Sequence, residues 1–248
     1  LGRRGFADMR IYQRYDWGRL ARFHVLDDRQ YRAYHACARP GRGGSNSVTT
    51  RNCPDLRKPG RSMLGEEQQR WLQTGLDASP ARWNILAQQT LMAQASQVPI
   101  QRPGDERIWT DGWDGYPLAR QHLLDALRSS KASNPLVLSG DVHTFYATEL
   151  SRNAMRPTGK DNPVLATEFC GTSITSSSRP QARTEQYVAM NPHIRYGRSD
   201  KRGYMLMEIT PEKTTTLFQG LENVRDSASG IATLARFTVQ DGKAGLQS

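Results

Sequence analysis

Asp141 and His143 stand two residues apart where the apolar run Leu136-Val137-Leu138-Ser139 passes into Gly140-Asp141-Val142-His143. A short apolar run of this kind reads as a buried strand. In open α/β sheets ligands bind beyond the carboxyl ends of strands, and glycine lets the backbone turn closely there. In extended backbone, residues two apart project from the same side. A carboxylate oxygen beside an imidazole nitrogen suits iron, zinc or manganese. The pair is therefore a candidate metal corner; the alternative is a buried aspartate capping a turn beside an ordinary histidine. His193, in Asn191-Pro192-His193, lies in a polar stretch from which it could reach a site. His24, His35 and His122 read as packed or surface histidines. Cys37 and Cys53 bracket a loop rich in Gly, Pro, Ser, Asn and Arg, either as a disulfide of an oxidising compartment or as two unrelated thiols.

Several chemistries are excluded. The sequence contains no G-x-S-x-G elbow, no phosphate-binding Walker loop, no dinucleotide glycine pattern and no H-E-x-x-H helix. The charge is +10, from 34 Lys and Arg against 24 Asp and Glu. Such an excess draws anions. The basic residues are scattered, without the blocks or aromatic interleaving of a nucleic-acid groove, so a solvated basic surface is expected and no specific nucleic acid. No stretch approaches the ~20 apolar residues of a membrane helix. No apolar run follows Leu1-Gly2-Arg3-Arg4, so no signal peptide is read there. Leu1 is not a natural start, and the chain reads as a fragment or a processed piece.

The elements that must carry these residues are legible in outline. Phe23 to Asp27 alternates as a short strand. Leu64, Trp71, Leu72 and Leu76 recur at helical spacing, predicting a helix over 65–78 that stops at Ser79-Pro80. Trp83 to Gln88 reads as a buried strand. Residues 97–118, with several Pro and Gly and three aromatics, read as a long structured loop that could wall a site. A second helix is predicted over Arg120–Ser130. Strands follow at Leu136–Ser139, Ala147–Leu150 and Val164–Phe169, then a polar loop at Gly171–Ser178 entering a helix. Residues 203–220 and 231–241 alternate as an antiparallel finish. With no repeats and no long linker, one α/β sandwich domain is expected.

Leu138-Ser139-Gly140-Asp141-Val142-His143-Thr144-Phe145-Tyr146 resembles the final metal motif of the alkaline phosphatase D family. Five further segments agree in order: Trp17-Gly18 with Leu26 to Arg32, Met63 to Leu72, Trp83 to Gln89, Asp111 to Pro117, and Glu168 to Ser176. Arg202-Gly203-Tyr204 also fits. The resemblance spans nearly the whole chain.

It implies an exported, periplasmic or secreted, monomeric phosphoesterase acting on phosphomonoesters and some phosphodiesters with iron (Fe3+) and calcium (Ca2+). The implied fold is an α/β class, four-layer α/β/β/α metallophosphatase sandwich, here incomplete: residues 1–248 would be its carboxyl-terminal part. Asp141 and His143 would be metal ligands. Broader relatives carry histidine where Asp141 stands and near the end of the strand where this chain has Gln88-Gln89. Oxygen in place of nitrogen favours a hard cation such as calcium. Gln88 and Asn84 of that segment, with His193, are candidates to contact substrate or support the ligands. The family's early acidic motifs, ligating cysteine and Trp-Asp-Asp-His segment do not occur, so the other ligands are expected outside this chain, which alone could be inert. A cysteine pair seen in some members matches Cys37 and Cys53 and favours the disulfide. Cys170 is expected to be a buried thiol.

Overall fold

The computed structural model describes residues 9–247; Leu1-Gly2-Arg3-Arg4 lies outside the described residues. The chain runs β1 (Gln13–Trp17), β2 (Ala21–Val25), β3 (Ser47–Thr49), α1 (Gly65–Asp77), β4 (Trp83–Thr90) and β5 (Arg107–Trp109). It continues through α2 (Pro117–Ser129), β6 (Pro135–Gly140), β7 (Phe145–Ser151), β8 (Val164–Cys170), α3 (Gln181–Met190) and β9 (Ile194–Arg198). It finishes with β10 (Gly203–Ile209), β11 (Lys213–Leu221), β12 (Ile231–Gln240) and β13 (Lys243–Gln247).

Seven strands form one mixed sheet in the order β1-β2-β4-β6-β8-β7-β9, and β10 to β13 form an antiparallel meander. β2, β4, β6 and β8 are parallel, so their carboxyl ends open on one edge. Successive strand residues point to opposite faces, and the core divides accordingly. Leu86, Val137, Tyr146 and Cys170 join Leu72 and Leu76 of α1 and Leu123, Leu124 and Leu127 of α2 in one apolar cluster. Their neighbours Ile85, Leu136, Phe145 and Phe169 face Phe218 and Val239 of the small sheet in a second. Phe218 is fully buried and stacks on Phe145 with ring centroids 4.8 Å apart.

The α/β class is as expected, with layers running helices, large sheet, small sheet. Among the described residues no helix covers the outer face of the small sheet. α2 begins at Pro117 rather than Arg120, since proline suits the first helical position. β2 ends at Val25, leaving Asp27 in the turn. The 97–118 segment is less loop-like than expected, because β5 within it pairs with β3. β1 and β9 carry no clean alternation and were not anticipated. No helix among the described residues is long and apolar enough to cross a membrane.

Candidate functional site

The open edge at the carboxyl ends of β2, β4, β6 and β8 gathers the residues with chemical potential. The turn after β2 is shaped by Asp27, whose carboxylate accepts the backbone N–H groups of Arg29 and Gln30, each at 3.0 Å. Asx turns of this kind reverse a chain locally. Gln68 of α1 and Gln89 of β4 fix the same turn, accepting from the N–H groups of Asp27 and Asp28 at 2.8 Å. Asp28 is thereby carried inward and fully buried. Its Oδ2 accepts from Thr90 Oγ1 at 2.7 Å, while Oδ1 is buried with no hydrogen-bond donor. Burial raises the pKa of Asp28, against the opposing hydrogen bond from Thr90.

Arg29 is the hub of the edge. Its Nη1 donates to Asp111 Oδ2 at 2.7 Å, and its Nη2 lies 2.9 Å from Asp141 Oδ2. Its Nε lies 3.8 Å from the unpartnered Oδ1 of Asp28. One guanidinium thus faces carboxylates from three separate segments, and its planar fork of donors suits that arrangement. Asp111 also receives Arg32 Nη2 at 3.2 Å and His35 Nε2 at 2.9 Å. Burial acts to raise the Asp111 pKa, but Arg29, His35 and Arg32 together lower it.

Beyond β6 the turn falls on Asp141 rather than on Gly140. Asp141 has φ 70°, and Val142 N–H donates to Gly140 O at 2.9 Å. A positive φ bridged by an i to i+2 hydrogen bond marks the rare, strained form of γ-turn. His143 is also left-handed, at φ 54°. The two residues therefore do not leave extended backbone, and the expectation that a two-residue spacing alone sets them on one side fails. Strained residues persist only where their surroundings over-determine them, and they cluster at functional sites. The surroundings here are Arg29 on Asp141 and the Ser177 carbonyl, 2.9 Å from His143 Nδ1. With Nδ1 donating to that carbonyl, Nε2 carries the lone pair, the tautomer of a histidine prepared to ligate a metal.

The other expected residues scatter. Gln88 lies at the end of β4 but is occupied, its Oε1 accepting from Trp113 Nε1 at 3.1 Å and Thr90 N at 3.0 Å. It supports the β4 end from within the core. Asn84 is not brought to the site: it pairs with Pro135 where β4 and β6 begin, the opposite edge of the sheet, and donates to Ser133 O. His193 is buried beside a different cavity, with Nε2 2.7 Å from Gln94 O. Cys37 and Cys53 form a disulfide. Arg29, Asp28, Asp111, Arg32 and His35 were not singled out from sequence. Their only local sign was the acidic turn Asp27-Asp28-Arg29 and the aspartate opening Asp111-Gly112-Trp113.

A cavity of about 340 Å³ adjoins Asp141 and Val142, walled in part by Thr90, Trp109, Tyr187 and Arg179. Among the described residues no three His, Cys, Asp or Glu side chains converge as a cation cage. Asp141 and His143 supply two donors of the kinds that hold a cation, a carboxylate and an oriented imidazole, and so fit one corner of a metal site.

The chain matches the family model of the PhoD-like phosphatases over residues 3–218. It is 34% identical to alkaline phosphatase D of Bacillus subtilis (strain 168) over 247 residues, which is 97% of this chain and 39% of that protein. A solved structure described as the structure of PhoD superposes with a TM-score of 0.85 at 32% identity, covering 98% of this chain and 44% of the other. The chain thus spans about two fifths of the length of the curated relative that it matches.

Proposed function

The chain belongs to the PhoD-like phosphatase family, and from that membership we propose that it supplies part of the active site of a metal-dependent phosphoesterase. Asp141 and His143 would hold a cation, with calcium and iron the ions suggested by the family resemblance. The single observation carrying this reading is the strained turn at Asp141, set on the carboxyl edge of the parallel strands beside a cavity. Bound cations would supply Lewis acidity and lower the pKa of a bound water. Arg29 would hold the Asp141 carboxylate in position until a cation takes it over. Arg179, on the cavity wall, would offset the charge of the ester. Two protein ligands hold an ion weakly, so the remaining ligands are expected from outside the described residues.

The test is turnover of p-nitrophenyl phosphate, with calcium and iron supplied, by the protein and by its Asp141→Ala and His143→Ala variants. Each substitution should remove most activity and lower bound metal. If both variants keep full activity and metal content, the assignment is wrong. The disulfide between Cys37 and Cys53 supports a site of action outside the reducing cytosol.

A further inference from the structure

The cavity beside Asp141 has a composition of its own. Leu91, Val142 and Tyr146 contribute apolar or aromatic wall, and Trp109 stands at 45% exposure within it. A tryptophan left this open on a short strand has a ring face unused by the core, and aromatic faces favour offset or edge-on contact with other rings. Arg179 lines the same space and has its guanidinium carbon 4.8 Å from the Tyr187 ring centre. Arg183 lies 4.9 Å from that same centre, so Tyr187 is engaged by cations and Trp109 offers the available ring. Arg183 is held by Gln186 and the Gln97 carbonyl, whereas Arg179 has no carboxylate within salt-bridge distance among the described residues. Asp114 and Asp141 line the same cavity but are paired with Arg120 and Arg29, so Arg179 is the half-buried cation left for a ligand with an anionic group attached to an apolar body.

We infer that this cavity receives the organic part of the ester and selects a planar aromatic group, stacked on Trp109, with Arg179 against the adjoining phosphate. The volume of about 340 Å³ admits such a ring. The inference rests on the phosphoesterase reading for the ligand's charged half; the preference for a ring rests on the cavity alone.

Phenylphosphonate and methylphosphonate share a charged group, cannot be hydrolysed and differ in the ring, so calorimetric affinities isolate the cavity from turnover. The protein should bind phenylphosphonate about tenfold more tightly, the value of one good aromatic contact. Trp109→Ala should reduce that preference to roughly twofold, and Trp109→Phe should restore most of it. Arg179→Gln should weaken both ligands by a similar factor. Trp17→Ala, on β1 and outside the cavity, should keep the preference. Equal affinities, no binding of either ligand, or a preference untouched by Trp109→Ala would overturn the inference. A preference that persists in a protein without p-nitrophenyl phosphate turnover would remove the hydrolytic reading and leave the cavity's selectivity standing. Turnover without the preference would do the reverse.

Discussion

His24 illustrates how a single side chain can set a pH limit. It is fully buried on β2, with Arg14 Nε 3.4 Å from its Nδ1, Trp71 edge-on beside it and no partner for Nε2. Burial first, and the Arg14 charge second, press its pKa down to about 4. An unfolded chain carries the same histidine near 6.5. Between those values the unfolded state binds the proton and the folded state does not. Stability is therefore full above pH 6.5 and falls as pH drops toward 4, by up to roughly 3 kcal/mol. His24→Leu should flatten this limb: the fall in Tm between pH 7 and 4.5 should be clearly smaller than in the parent protein, and an unchanged fall would refute the cause. Asp111 acts in a lower window. Its depressed pKa gives stability that is present above about pH 4 and lost below it. Asp111→Asn should leave Arg29, Arg32 and His35 without their shared anion and remove that acid sensitivity, as melts between pH 5 and 3 would reveal.

At the scale of the element, the γ-turn after β6 separates backbone cost from side-chain role. Glycine accepts positive φ freely, whereas alanine meets a penalty of roughly 1–2 kcal/mol. Asp141→Gly and Asp141→Ala both remove the carboxylate, so both should lose activity. The glycine variant should nevertheless be the more stable by about 1 kcal/mol, measured by urea titration; equal stabilities would mean that the turn is unstrained. The loop closed by Cys37 and Cys53, 16 residues apart, should contribute about 3 kcal/mol through the unfolded chain. Replacing both cysteines with serine should lower the denaturant midpoint accordingly. The Asp141 turn is legible in the sequence because an apolar strand and a glycine announce it locally. Its conformation is not, because Asp141 itself bends the chain where a strand residue would leave extended backbone. Arg29 was invisible for a different reason. Its partners Asp111 and Asp141 are far along the chain, and only the parallel arrangement of β2, β4 and β6 brings them together. Asn84 was misplaced because motif proximity along β4 says nothing about which edge of the sheet a residue occupies.

Across the whole molecule, aromatic packing joins the two sheets, and two hydrogen bonds add to it, from Trp83 Nε1 to Thr210 O at 2.7 Å and from Leu246 N–H to Glu149 Oε1 at 3.1 Å. Phe218 meets Phe145, Phe169, Phe237 and Tyr196, with centroids 4.8 to 6.2 Å apart. Phe218→Ala should cost about 3–5 kcal/mol and loosen the small sheet first, which hydrogen exchange over β10 to β13 would register. The class and most strands of this architecture were readable from alternation and helical spacing. β1 was not, because four of its five residues are exposed and impose no period. Beneath the Asp141 turn, Cys170 is the one cysteine outside the disulfide; it is fully buried, its thiol donating to Gly140 O at 3.5 Å. Burial raises its pKa far above the ordinary thiol range, which leaves it inert toward alkylating reagents. A folded population should therefore take up no label at neutral pH, and each molecule should become tagged once, at the moment its sheets part. The chain carries its own stopwatch for opening, readable by mass spectrometry as a single added group.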